Sequence, residues 1–95
     1  MAERYAVYML ASKVNGTLYI GVTGNLPLRI AQHKPLAVRG FTRRHKIIDL
    51  VWFERHADIR EAIAREKQMK GWNRAWKVKL IKAANPNWLD LAPSA

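Results

Sequence analysis

Two apolar runs open the chain, Tyr5 to Leu10 and Leu18 to Val22, and the intervening Asn15-Gly16 is a strong turn signal. Together they predict a β-hairpin. Asn25 is placed to cap a helix from about Leu26 to His33, with Pro27 tolerated in its first turn. Residues 35–46 are basic and contain Gly40, which predicts an exposed loop. Ile47 to Phe53 is β-branched and aromatic, hence a third strand. Asp58, with Glu61 three residues on, starts a capping-box-like helix that runs through Lys70 and ends at Gly71. Asn73 caps a last helix to about Ala84, which Pro86 prevents from continuing, and the tail from Ala92 is expected to fray. The order β-β-α-β-α-α predicts an α+β domain, a three-stranded sheet with helices, covering residues 1–95 as a single unit.

The hairpin's parity constrains which side chains meet. A two- or four-residue loop around Asn15-Gly16 pairs residues whose numbers sum to 31 or 29, and either odd sum places Tyr8 and Tyr19 on one face of the sheet. With the four-residue loop Tyr8 faces Gly21, which is expected to leave open space beside the phenol for a ligand. Packed core tyrosines with satisfied hydroxyls are the competing reading. In the second α-helix, Ile59, Ala62, Ile63 and Met69 form an apolar stripe, and Glu66 falls on it. A carboxylate there needs a cation or a metal. Arg29 and His33, four apart on the first helix, combine a phosphate clamp with a proton carrier, although a solvated face also explains them.

Composition then narrows the partners. Seventeen Lys and Arg against seven Asp and Glu give a net charge of +10 on 95 residues, the footprint of a domain that meets a polyanion, nucleic acid foremost. Half the residues are apolar (49%), enough for a folded core. No apolar run approaches a membrane span, and the chain has no cysteine, which excludes disulfide scaffolds and thiolate zinc sites and leads to the expectation of a cytoplasmic protein. Arg39, Arg43, Arg44 and Lys46 in the loop, with Lys67 and Lys70 further on, are candidates for phosphate contacts that carry no sequence information. Trp72 and Trp76, four apart, are expected in the core, and His45 and His56 on the surface.

Ala6-Val7-Tyr8, followed by Tyr19-Ile20-Gly21, resembles the two-part signature of the GIY-YIG nucleases, and Arg29, His33, Glu66 and Asn85 follow in that family's order. The stretches Glu66-Lys67-Gln68-Met69-Lys70-Gly71-Trp72 and Asn85-Pro86-Asn87-Trp88 are similar to small stand-alone bacterial members, themselves akin to the N-terminal domain of excinuclease C. One departure is Ala-Val-Tyr in place of Gly-Ile-Tyr. The resemblance implies an antiparallel sheet and hydrolysis of phosphodiesters, typically in DNA and in settings such as DNA repair, with Mg²⁺ or Mn²⁺. It implies that Glu66 is the metal ligand, that Tyr8 and Tyr19 position or deprotonate the attacking water, and that Arg29 stabilises the phosphorane. His33 would assist proton transfer, and Asn85 would orient the phosphate or its neighbours; the general base is left open between a tyrosine and a histidine. Gly21 and the basic residues named above would meet the substrate, and Arg29 is expected to lower the pKa of a neighbouring phenol. With no separate recognition domain, specificity is expected to be low or supplied by a protein partner. A nucleic-acid-binding module of the same fold without useful turnover is the alternative.

Overall fold

A computed structural model describes residues 4–39 and 49–94, with the side chains of residues 33–39 and 94 excepted. The hairpin forms as expected: β1 (Tyr5–Ala11) and β2 (Leu18–Thr23) are antiparallel in the register that sums to 29, so that Tyr8 lies opposite Gly21. Ser12 N–H still donates to Thr17 carbonyl (3.1 Å), which leaves Lys13 to Gly16 as the tight loop. Within it Asn15 takes the left-handed conformation (φ 57°), which an Asn side chain tolerates. Gly16 is required for a different reason, since a Cβ there would collide with Ser12 and Lys13.

β3 (Asp49–His56) joins the other side of β1, giving an antiparallel sheet of order β2-β1-β3. It extends three residues beyond the expected end at Phe53, and Ile47 and Ile48 lie outside the described residues. Its polar end is stable because Glu54 and His56 are tied to a helix packed above them: Arg65 Nε donates to Glu54 Oε1 at 3.1 Å, and His56 Nε2 lies 2.9 Å from the same oxygen. His56, expected at the surface, is therefore largely buried. A register shift between Met9 and Leu10 leaves Val51 as the extra residue of β3, so that Val51 and Trp52 both turn to one face.

Helices cover both faces. α1 (Leu26–Arg39) packs Leu26 and Ile30 against Ala6, Tyr8, Leu10 and Leu50. Its N-terminus is capped by Asn25, whose Oδ1 accepts from Leu28 N–H at 3.2 Å. It continues past the expected stop at His33 and through Pro35, so that residues 35–39 are helical and not loop; the rest of the expected loop lies outside the described residues. On the opposite face α2 (Ile59–Lys70) and α3 (Arg74–Ala84) bury Ala62, Met69 and Ile81 against Val7, Met9, Val51 and Trp52. Asp58 and Asn73 cap them as the sequence predicts, accepting from Arg60 and Trp76 N–H at 2.8 and 2.9 Å. Glu61 lies 3.9 Å from His56. Ile59 and Ile63, assigned to the apolar stripe of α2, lie at its border and stay partly exposed, leaving Ala62 and Met69 to bury. Trp76 is a clearer correction. It points away from the core, for the buried side of α3 is occupied by Ile81 and Val78.

The C-terminal segment closes the outer edge of β3. Asn85 Nδ2 donates to the carbonyls of Val51 and Leu89 (3.1 and 2.8 Å), and its Oδ1 accepts from Leu89 N–H at 3.0 Å. Leu91 N–H donates to Leu50 carbonyl at 2.7 Å, and Asp90 Oδ1 accepts from Leu50 N–H at 3.0 Å. Trp88 packs on the α2–α3 face and Leu91 and Ala92 on the α1 face, so the segment passes over the edge from one side to the other. The tail at Ala92 is therefore docked and ends in a 3₁₀ turn, Ala92–Ser94.

Candidate active site

Tyr8, at the centre of β1, is 1% exposed, and its hydroxyl accepts a hydrogen bond from Arg29 Nε at 3.1 Å. Arg29 is delivered there by the first turn of α1, whose register is set by Leu26 and Ile30 on the core side. A second interaction steadies the guanidinium, Nη1 donating to Gln32 Oε1 at 3.4 Å. Tyr19 reaches the same cluster from β2: its ring centroid lies 6.3 Å from that of Tyr8, and its hydroxyl takes part in the hydrogen bonding of both Tyr8 and Arg29. Its exposure is 41%, so the two phenols differ sharply in access to solvent.

The space expected beside the Tyr8 phenol is filled by the phenol itself. Its ring lies across Gly21, where a Cβ would overlap the hydroxyl and the ring carbons. Gly21 is thus buried beneath a side chain of the same molecule and presents no substrate surface of its own; its missing side chain is what lets Tyr8 lie flat. Position 6 shows the same economy. Ala6 fits the α1-face core completely buried, so the family's glycine there is replaced without opening the packing.

Burial and charge oppose each other at Tyr8, and burial wins. Loss of hydration raises the phenol's pKa above its usual value near 10, outweighing the hydrogen bond and positive charge of Arg29, with the neighbouring Tyr19 adding to the rise. Arg29 pulls this pKa down, as expected, but burial outweighs it and the net shift is upward. Tyr8 therefore keeps its proton, and its oxygen holds Arg29.

Glu66 is carried by α2, the helix that packs on the other face of the sheet. Arg65, its neighbour on α2, reaches Glu54 of β3, and Glu66 itself lies about 100° further round the helix. Its side chain is 15% exposed and pairs with Lys70 Nζ at 3.5 Å, one turn along the helix. Lys70 is itself 56% exposed, so this pair stabilises by only a few tenths of a kcal/mol. The carboxylate is neither locked to a buried cation nor grouped with other ligands: among the described residues no cluster of three or more His, Asp or Glu stands ready to hold a metal. Magnesium commonly needs one or two protein carboxylates and keeps several waters, so a single glutamate with a weak, displaceable partner fits such an ion.

The structure thus brings together Tyr8, Tyr19, Gly21 and Arg29, and sets Glu66 on a helix of the opposite face. The backbone of His33 lies one turn beyond Arg29 on α1, and that of Arg39 at the helix end; their side chains are outside the described set, as are Arg43, Arg44 and Lys46 entirely. Lys67 is exposed on α2 beside the Glu66–Lys70 pair. Asn85 is buried, and its amide faces backbone, so it holds β3 and the C-terminal segment instead of opening to a ligand. Gln32 was missed by sequence reasoning, and its spacing of three from Arg29 is the signal that would have found it.

The sheet thus pairs one tyrosine from each strand of its hairpin, and the covering helix brings an arginine to them. Residues 4–79 match the family model described as the GIY-YIG catalytic domain, and the chain belongs to the GIY-YIG family. It is similar to the UPF0213 protein of Staphylococcus haemolyticus, 35% identical over 82 residues that cover 86% of this chain and 98% of the relative. The UPF0213 protein of Natronomonas pharaonis is 36% identical over 81 residues, 85% of this chain and 94% of the relative. That of Clostridium perfringens is 38% identical over 77 residues, 81% and 82% of the two chains. No solved structure gives a significant match. Among the described residues no helix is long and apolar enough to cross a membrane.

Proposed function

We propose that this protein is a divalent-metal-dependent endonuclease that hydrolyses phosphodiester bonds in DNA with low intrinsic sequence specificity. The observation that carries the reading is the Tyr8–Arg29–Tyr19 cluster: a fully charged guanidinium held in place by a buried phenol, beside a second phenol open to solvent. Hydrolysis needs an oriented water, a fixed cation for the charge that grows on the equatorial phosphate oxygens, and a proton for the departing alkoxide.

Arg29 supplies the fixed cation, and its position costs no reorganisation because Tyr8 and Gln32 already hold it. Tyr19, the accessible phenol, orients the attacking water. Tyr8 acts one layer behind as a neutral positioning residue, since its raised pKa keeps the proton on its oxygen. His33, one turn from Arg29, is assigned proton transfer. Glu66 would hold Mg²⁺ or Mn²⁺, which supplies Lewis-acid polarisation of the phosphate and activation of water when bound. Asn85 serves as a positioning residue through the backbone of β3. Phosphate-directed binding is attributed to the excess of basic side chains, Lys67, Lys70, Arg39, Arg43, Arg44 and Lys46 among them.

The test is nicking of supercoiled DNA by pure protein with Mg²⁺ or Mn²⁺, and with a chelator as control. Cleavage should be lost with the chelator and fall at least about 100-fold in Glu66→Gln, a loss of some 2.7 kcal/mol in transition-state stabilisation. Because Lys70 is exposed, Glu66→Gln strands no buried cation, and the melting temperature should move by no more than about 2 °C. A wild-type protein that binds DNA under these conditions and leaves every phosphodiester intact is a binding module, and the endonuclease reading ends there.

A further inference from the structure

On the outer side of α3, away from the sheet, Trp76 is 58% exposed, although nothing in the core requires a tryptophan there. Its ring stands edge-to-face with Trp72, centroids 6.0 Å apart, and Arg65 stacks over Trp72 at 5.2 Å, so the exposed indole is braced from behind. Trp72, Trp76, Leu80, Ala83 and Lys79 line an open groove of about 370 Å³. The helix that carries it, Arg-Ala-Trp-Lys-Val-Lys-Leu-Ile-Lys-Ala-Ala, has four basic residues and no acidic one. Lys79 lines the groove, and Lys77 and Lys82 flank its helical stripe on either side.

We propose that this groove is a subsite for an unpaired nucleobase, stacked on Trp76 with its flanking phosphates neutralised by Lys77, Lys79 and Lys82. The inference rests on the nucleic-acid reading above and adds to it a second contact, on the side of the sheet remote from Tyr8. Charge selects the occupant. An apolar partner segment would have to bury these ammonium groups, whereas a nucleotide offers a π-face to the indole and an anion to each lysine. A base within a duplex is already stacked on its neighbours and cannot insert, so the groove acts on single-stranded segments. Trp52 and Trp88 are buried in the core, which makes Trp76 the indole most open to quenching by a bound base.

The experiment measures binding of a labelled oligothymidylate and of an equal-length duplex at one fixed salt concentration, with chelator present so that neither is cut. Wild type, Trp76→Ala and Trp76→Phe are compared, and the exposure of Trp76 predicts that all three melt alike. Trp76→Ala should weaken oligothymidylate binding roughly tenfold and duplex binding less than about twofold, while Trp76→Phe keeps most of the affinity. Tryptophan fluorescence should be quenched by oligothymidylate in the wild type and much less so in Trp76→Ala. If the wild type binds both probes and Trp76→Ala leaves both affinities unchanged, or lowers them equally, the subsite is overturned and the nucleic-acid reading survives. If the wild type binds neither probe, that reading fails and takes the subsite with it. A wild-type dimer in sedimentation that Trp76→Ala splits assigns the groove to a second copy of the chain and equally overturns the proposal.

Discussion

On the α1 face of the sheet, a buried phenol, a glycine and a guanidinium constrain one another; on the opposite face, Glu66 rests on the flank of α2 with an exposed lysine as its ion-pair partner. The first region is part of the core, so any change in it disturbs packing and chemistry together. The second is attached to the core through its neighbours Ala62 and Met69, and its own charge is removable at little structural cost. Loss of activity is therefore diagnostic at Glu66 and ambiguous at Tyr8. Tyr19 stands between these extremes, belonging to the tyrosine cluster by geometry and to the surface by exposure.

The largest effect that sharpens this contrast is expected at Tyr19. Tyr19→Phe should lower cleavage by about 10² to 10⁴-fold at saturating DNA while costing less than about 0.5 kcal/mol of stability in a urea titration. Full activity in this variant would return Tyr19 to a packing role. Next in size is Gly21→Ala, which drives a methyl group into the Tyr8 ring and should destabilise the fold by about 3 kcal/mol. The same substitution in a Tyr8→Leu background should cost much less, and equal costs in both backgrounds would show that the ring is not what excludes the methyl.

Tyr8→Phe follows, with a stability loss of about 1 to 2 kcal/mol from the broken bond to Arg29 and a drop in activity through the loosened guanidinium. The smallest effect is in the pH dependence. The folded-state pKa of Tyr8 lies above its unfolded value near 10, so the folded protein keeps this proton longer than the unfolded chain does. Its contribution to stability is therefore fully present below about pH 10 and is lost as pH rises through the folded-state pKa. Urea titrations between about pH 9 and 11 should show a steeper decline in the wild type than in Tyr8→Phe. Absorbance at alkaline pH should show one phenol ionising late, and Tyr8→Phe should abolish it.

What was legible in the sequence is mostly what is local. The turn at Asn15-Gly16 and the caps at Asn25, Asp58 and Asn73 bond groups two to four residues apart, and the parity argument that joins Tyr8 to Tyr19 needs only the loop length. The rest depends on partners distant in sequence. Glu54 and His56 lie past the apolar run that ends at Phe53, yet they continue β3 because Arg65, eleven residues beyond Glu54, pairs with the Glu54 carboxylate, which His56 also meets. The basic residues after His33 read as a loop, yet α1 continues through Pro35 to Arg39. Spacing groups Trp72 and Trp76 but does not say which side of α3 meets the sheet; Ile81 and Val78 take that side and turn Trp76 outward. At Gly21 the space was foreseen and its occupant was not, because a glycine's vacancy looks the same from the sequence whether a ligand or a neighbouring ring fills it.

The clasp that Asn85, Asp90 and Leu91 form on β3 also has a consequence for how the molecule is made. Its bonds reach back 34 residues from Asn85 to Val51 and 40 from Asp90 to Leu50. During synthesis β3 leaves the ribosome before the segment that covers it, and its outer edge stays uncapped until that segment follows. Over that interval the carbonyls of Leu50 and Val51 and the amide of Leu50 are open to any other strand that passes. The docking of residues 85–91 thus sets the moment at which the newborn sheet stops being able to recruit another one.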